Sequence, residues 1–208
     1  MYKAMSVMTQ PRPALRSCFT QVLDRAAAGD RDAWCSLYDA VNPGLLRYLA
    51  ASAGPAVGEE ILADTFLELG RNLSSFHGGR SEFRVHAFSV GRRRMLDRRR
   101  FEPQDATTPP SAVSAQAYRI AQFAASVACA LSPDQAEAVL LCVCGRLLIA
   151  EAAQVLGTPV RSVATLAQSG LWLLDDFLGS PEQQVGARRG EGAEDGPAAA
   201  GDRSTSTC

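Results

Sequence analysis

The sequence predicts an all-α protein made of two small helical domains joined by a flexible linker. Three observations carry that expectation. Apolar residues recur at spacings of three and four, while strand-type alternation is nearly absent. A proline-rich polar stretch divides the chain into two apolar blocks. Both blocks place capping residues where helices would have to start.

With 208 residues, 47% of them hydrophobic, the chain is long enough to bury one proper core or two small ones. No run approaches the roughly 18 to 20 apolar residues that span a bilayer. Residues Met1 to Arg16 lack the continuous apolar stretch and cleavage site of a secretory signal. A soluble, cytoplasmic protein with no membrane partner is therefore expected. The six cysteines and two histidines, His77 and His86, show no zinc-ligand spacing, so neither metal nor cofactor is expected. Cys142 and Cys144 would point to nearly opposite sides of a helix. The cysteines read as buried small hydrophobes in a reducing compartment.

Residues 1–18 read as a flexible N-terminus and 19–101 as the first domain. Asp30 or Asp32 can cap a helix carrying Trp34, Leu37, Tyr38 and Val41. Pro43-Gly44 is expected to interrupt it before Leu45, Leu46, Tyr48 and Leu49 resume. A further helix begins near Val57, with apolar Leu62, Phe66, Leu69 and Leu73. Its residues Glu60, Asp64 and Glu68 form an acidic stripe whose like-charge neighbours cost roughly 0.2 to 0.5 kcal/mol per pair. A basic partner surface would relieve that cost, and a solvated face would tolerate it.

The loop from Ser74 to Phe83 has turn-forming glycines, an aromatic residue near each end and Arg80 inside. Aromatics beside cations suit unpaired bases and their phosphates, although Phe76 and Phe83 could equally plug helix ends. Then comes Gly91-Arg-Arg-Arg-Met-Leu-Asp-Arg-Arg-Arg100, six arginines against one acid in a chain of formal net charge -1. Cations near a helix C-terminus gain from the dipole, and Arg93 can pair with Asp97. Arg92, Arg94 and part of the terminal triplet remain for a polyanion, and the neighbouring aromatic loop favours single-stranded or melted DNA.

Residues 102–117 read as a Pro-rich linker and 118–178 as the second domain. Ser132 is placed as N-cap, with Pro133 at the first helical position and Gln135 completing a capping box. A short helix over Ile149 to Leu156, Gly157 in a left-handed turn and a second helix capped by Thr158-Pro159 form a helix-turn-helix pattern. Residues 179–208, nearly devoid of large apolar side chains, read as a disordered tail.

Taken in this order, the chain resembles the extracytoplasmic-function group of the sigma-70 family. Gly58-Glu-Glu-Ile-Leu-Ala-Asp-Thr-Phe-Leu67 is similar to the family's A-E-D-L-V-Q-E-T-F-L, and Phe83-Arg-Val-His-Ala-Phe-Ser-Val-Gly-Arg-Arg93 to F-R-x-W-L-x-x-I-A-R-N. Further matches are Leu131 to Leu140, Ala150-Glu-Ala-Ala and Leu156-Gly-Thr-Pro-Val160. The resemblance implies a sigma factor that directs promoter recognition and transcription initiation. Glu59, Glu60, Asp64 and Phe66 would bind core RNA polymerase. Phe76, Arg80, Phe83, Arg84, His86, Arg92, Arg93, Arg94 and Arg98 would bind minus-10 promoter DNA. Thr158, Arg161, Ser162, Thr165 and Gln168 would face minus-35 DNA. It implies no catalytic residue, because the chemistry belongs to the polymerase, and an anti-sigma factor is a further candidate partner.

The chain departs from the family at His86, usually Trp, and at Arg93, usually Asn. An arginine there favours phosphate or a guanine edge over adenine. The recognition helix departs further, since Arg161-Ser-Val-Ala-Thr-Leu-Ala-Gln-Ser-Gly-Leu171 keeps one cation where the family has several. Across 120–178, five acids against two bases give a net -3, so isolated DNA should be held weakly. Gly170 would cost this helix about 1 kcal/mol relative to Ala. An alternative follows: a degenerate sigma-like interaction protein that binds polymerase or a regulator without directing initiation.

Overall fold

The computed structural model describes residues 13–101 and 115–179, and the expected linker and tail fall mostly outside them. The described residues form eight α-helices, with a 3-10 turn at Leu73–Ser75. Helix α1 spans Pro13–Ala27, beginning inside the segment expected to be a flexible N-terminus. Its Phe19, Val22, Leu23 and Ala26 follow an i, i+3, i+4, i+7 spacing and face the core. Phe19 also packs on Phe83 with ring centroids 6.0 Å apart.

Helix α2, Arg31–Ala53, starts at Asp30, whose Oδ1 accepts from the backbone N–H of Asp32 at 2.9 Å and Ala33 at 3.2 Å. It runs unbroken through Pro43-Gly44, contrary to the sequence expectation. Proline removes one ladder hydrogen bond there, but the buried stripe Leu37, Val41, Leu45, Tyr48 and Leu49 continues on both sides of it. Tertiary packing overrides the local breaker. Gly44 has its own reason: a Cβ at this position would lie 2.7 Å from the Gly145 carbonyl oxygen, where a distant turn crosses the helix.

Helix α3, Pro55–Arg71, lies tightly against α2, since a Cβ on Gly58 would meet the Ala50 nitrogen at 2.8 Å. Helix α4, Arg80–Phe101, follows the 3-10 turn and a short loop. Its start is held by Glu82, which accepts from the Gly79 N–H at 3.0 Å. The second block contributes α5 (Ala115–Ala130), α6 (Pro133–Val143), α7 (Ile149–Leu156) and α8 (Val160–Gly179). The expected capping box at Ser132 and Gln135 is formed. Gly157 takes φ 67°, the left-handed turn between α7 and α8.

The two blocks are not separate bodies. One apolar cluster runs from Leu37, Leu45, Tyr48 and Phe88 in the first to Val139, Leu141 and Val163 in the second. The described cysteines depart from expectation as well, because Cys18, Cys35 and Cys129 are exposed, Cys142 is half-buried and Cys144 is buried. Burial pushes the Cys142 and Cys144 thiols up from their ordinary pKa.

Gly170 also differs from its sequence reading. It sits where α8 crosses α6, and a Cβ there would lie 2.8 Å from Val139 Cγ2 and 3.4 Å from Leu131 Cδ1. Helix propensity alone says that Gly170→Ala stabilises by about 1 kcal/mol. We expect a loss of about 1 to 3 kcal/mol from overpacking instead, measured by urea denaturation. A stabilised variant would show that α6 and α8 are not in this contact.

Candidate nucleic-acid interface

The arginine run lies on α4, and four of its arginines are engaged with carboxylates. Arg93 and Arg94 both bind Glu68 of α3, Arg94 through Nε at 3.1 Å and Nη2 at 2.8 Å. Arg94 also reaches Asp64 at 3.5 Å, and Arg98 pairs with Glu60 at 2.6 Å. The acidic stripe on α3 therefore finds its basic partner within the chain, and the expected Arg93–Asp97 pair is replaced by Arg93–Glu68. The Glu68 carboxyl is held below the usual carboxylate range, first by its hydrogen bond from Arg93 and then by that from Arg94. Glu60 and Asp64 remain well exposed despite their pairs.

Arg92 turns the other way, toward the second block. Its Nε donates to Glu137 Oε1 at 2.6 Å and its Nη2 to Oε2 at 3.0 Å, a two-point grip on a carboxylate of α6. The same carboxylate accepts from the buried Tyr48 hydroxyl at 3.3 Å. The guanidinium pKa is raised, mainly by its hydrogen bond to Glu137. Arg84, two turns earlier on α4, donates to the carbonyls of Gly145, at 3.0 Å, and Arg146. It also lies 3.7 Å from Glu151. Glu151 is 5% exposed and accepts from Ser81 Oγ at 2.7 Å and from the Leu148 N–H at 3.0 Å. It thus caps α7 while facing α4.

The loop before α4 separates its two aromatics. Phe83, expected among the DNA-facing residues, is only 2% exposed and fills the core beneath the loop. Phe76 is half-buried, packing edge-on against Phe83 at 5.4 Å and tilted over His86 at 5.5 Å. Phe83 is the helix-end plug, and Phe76, His86 and the exposed Arg80 form the outer surface.

On the far side, α2 and α3 enclose a groove of about 440 Å³ lined by Tyr38, Asn42, Leu46, Glu59, Leu62, Ala63 and Phe66. Phe66 belongs to its wall and is otherwise buried against Tyr38 and Trp34, at 4.5 and 6.4 Å. Glu59 is exposed on its rim. Asn42 Oδ1 is buried there without a hydrogen-bond partner, an atom whose desolvation costs about 1 to 3 kcal/mol.

In the second block, Thr158, Arg161, Ser162, Thr165 and Gln168 are all exposed around the start of α8. Further along α8, Leu171, Trp172, Leu173 and Leu178 are exposed too, Trp172 to 73%. Sequence reasoning missed Arg47, Tyr48, Ser81, Glu137 and Glu151. Its one available signal was the acid excess of the second block, which complements the arginine run. Among the described residues, no group of three or more His, Cys, Asp or Glu is arranged to hold a metal, and no helix is long and apolar enough to cross a membrane.

Comparison with solved structures shows the fold. The chain is similar to CnrH, solved in complex with the cytosolic domain of CnrY, at TM-score 0.61 and 22% identity, over 77% of this chain and 96% of that one. The RsbN–BldN complex matches at TM-score 0.33 and 25% identity, over 74% and 97%. No family model matches the chain, and no curated protein does. The all-α architecture is thus a fold shared with CnrH.

Because Glu68 has a lowered pKa in the folded chain, the folded form takes up this proton less readily than the unfolded form does. Its stabilisation is complete above the ordinary carboxylate pKa and is lost as pH falls through the folded value. Glu68→Gln should cost about 1 kcal/mol at pH 7. It should also flatten the loss of thermal stability between roughly pH 5 and 3. An unchanged acid limb would show that the Arg93 and Arg94 pairs do not form.

Proposed function

We propose that this chain is a sigma factor that binds core RNA polymerase and directs transcription initiation through the minus-10 element. The observation that carries the reading is the presence, in one sigma-like fold, of an arginine-ended helix fronted by an aromatic loop and a second unit with an open α8 face. Core polymerase binds at the α2–α3 groove, where Glu59 supplies acid on the rim beside an apolar floor walled by Phe66, while Glu60 and Asp64, exposed on the α4 side and paired with Arg98 and Arg94, add acid outside the groove itself.

The minus-10 strand is held by Phe76, His86, Arg80 and the cations of α4, Arg84, Arg92, Arg93, Arg94 and Arg98, with Phe83 supporting the loop from beneath. Thr158, Arg161, Ser162, Thr165 and Gln168 contact the minus-35 region, weakly because one cation serves that face. CnrH was solved with a protein partner, CnrY, which supports an anti-sigma protein as a further partner of this chain. The reaction is the polymerase's, and the chain acts without catalytic residues of its own, in the cytoplasm.

A second reading is favoured by the exposed Leu171, Trp172, Leu173 and Leu178 on α8. In it the chain is a sigma-like interaction protein that binds polymerase or a regulator without starting transcription.

Run-off transcription with purified core polymerase and promoters selected from a random library separates the two. The sigma reading expects discrete start sites that depend on this chain; core binding without any start site would leave only the second. Arg93 is half-exposed, and Arg94 retains Glu68 when it is removed. Arg93→Ala should therefore lower open-complex formation about tenfold with core binding and folding intact.

A further inference from the structure

The acid excess of the second block, which argues against its reading DNA by itself, has a counterpart across the seam with α4. Five side-chain donors of α4 and α2 meet oxygens of the second block across this seam. Arg92 and Tyr48 meet the Glu137 carboxylate. Ser81 and Arg84 meet Glu151, and Arg84 also meets the Gly145 and Arg146 carbonyls. Arg47 of α2 donates to the Cys144 carbonyl at 3.0 Å.

The carbonyls at 144–146 lie just beyond the C-terminus of α6, the electronegative end of a helix. They are presented by a turn in which Arg146 takes φ 53°, a left-handed conformation uncommon for a residue other than glycine. Two carboxylates and three carbonyls are thus set against three guanidinium groups. Phosphate oxygens would seek the same guanidinium donors.

We propose that the second block is an intramolecular competitor of nucleic acid, its α6–α7 face occupying Arg84 and Arg92 of α4 until it is displaced. This rests on the reading of α4 as the strand-holding helix. In the closed form Arg84 and Arg92 are committed internally, whereas Arg93, half-exposed, keeps an outward face. Single-stranded nucleic acid therefore has to break the Glu137 grip to reach Arg92. Any partner that draws the two blocks apart raises affinity for the strand, because opening and strand binding are linked.

The test is binding of a fluorescent single-stranded oligodeoxynucleotide to the full chain, without polymerase. Glu137→Gln removes the charge while keeping an oxygen for Tyr48, and it should bind the strand roughly tenfold more tightly than wild type. Adding Arg92→Ala to that variant should cancel the gain. If Glu137→Gln fails to fold, as judged by circular dichroism, Glu137→Asp shortens the grip and carries the same expectation.

Equal affinity of wild type and variant overturns the competition, and so does the absence of binding by both. A gain that survives Arg92→Ala overturns it as well, since Arg92 would not be what Glu137 guards. Run-off transcription is read separately, so a failed competition and a failed sigma reading give different results.

Discussion

The contact between Arg92 and Glu137 is the one on which the arrangement of the two blocks turns. It joins α4 to α6 through two hydrogen bonds and carries Tyr48 as a third donor. Tyr48 is fully buried, and both burial and the Glu137 charge push its pKa well above normal, so its hydroxyl stays protonated and needs an acceptor. Removing Glu137 would strand a guanidinium and a phenol in a half-dry seam, where an uncompensated group costs far more than the pair gains. Around this point lie the contacts that need the same closure: Phe88 with Gly145, Arg47 with Cys144, and Ser81 with Glu151. The shared apolar core beneath them makes the closure a property of the whole fold.

Local chemistry was legible in the sequence wherever a residue acts on its own neighbours. Asp30, Ser132 with Gln135, and Gly157 each satisfy backbone groups within a few positions, and each does so in the structure. Pro43-Gly44 breaks the helix by local rules, but the buried stripe on both sides of it overrides them, and Gly44 is needed by a turn about a hundred positions away at Gly145. Gly170 was misread likewise, since its value lies in Val139 across a helix crossing.

The charges follow the same division. The acidic stripe and the arginine run were both visible, but sequence spacing offers only i, i+4 partners. It assigned Arg93 to Asp97 and left the stripe for an outside surface. The fold instead lays α3 beside α4 and pairs the two runs. Phe66 and Phe83 show the same limit for aromatics, because a motif position does not reveal whether a ring faces solvent or core. The fold thereby holds its arginine-rich helix between two acidic neighbours: α3 pairs with Arg93, Arg94 and Arg98, and the second block takes Arg84 and Arg92.

The central claim is that the two blocks are coupled through Arg92 and Glu137. A double-mutant cycle with Arg92→Ala, Glu137→Ala and the pair, followed by urea denaturation, tests it most directly. We expect a coupling energy of about 1 to 3 kcal/mol and a single transition for the wild-type chain. Strictly additive losses, or two separate transitions in the wild type, would contradict a seam between the blocks.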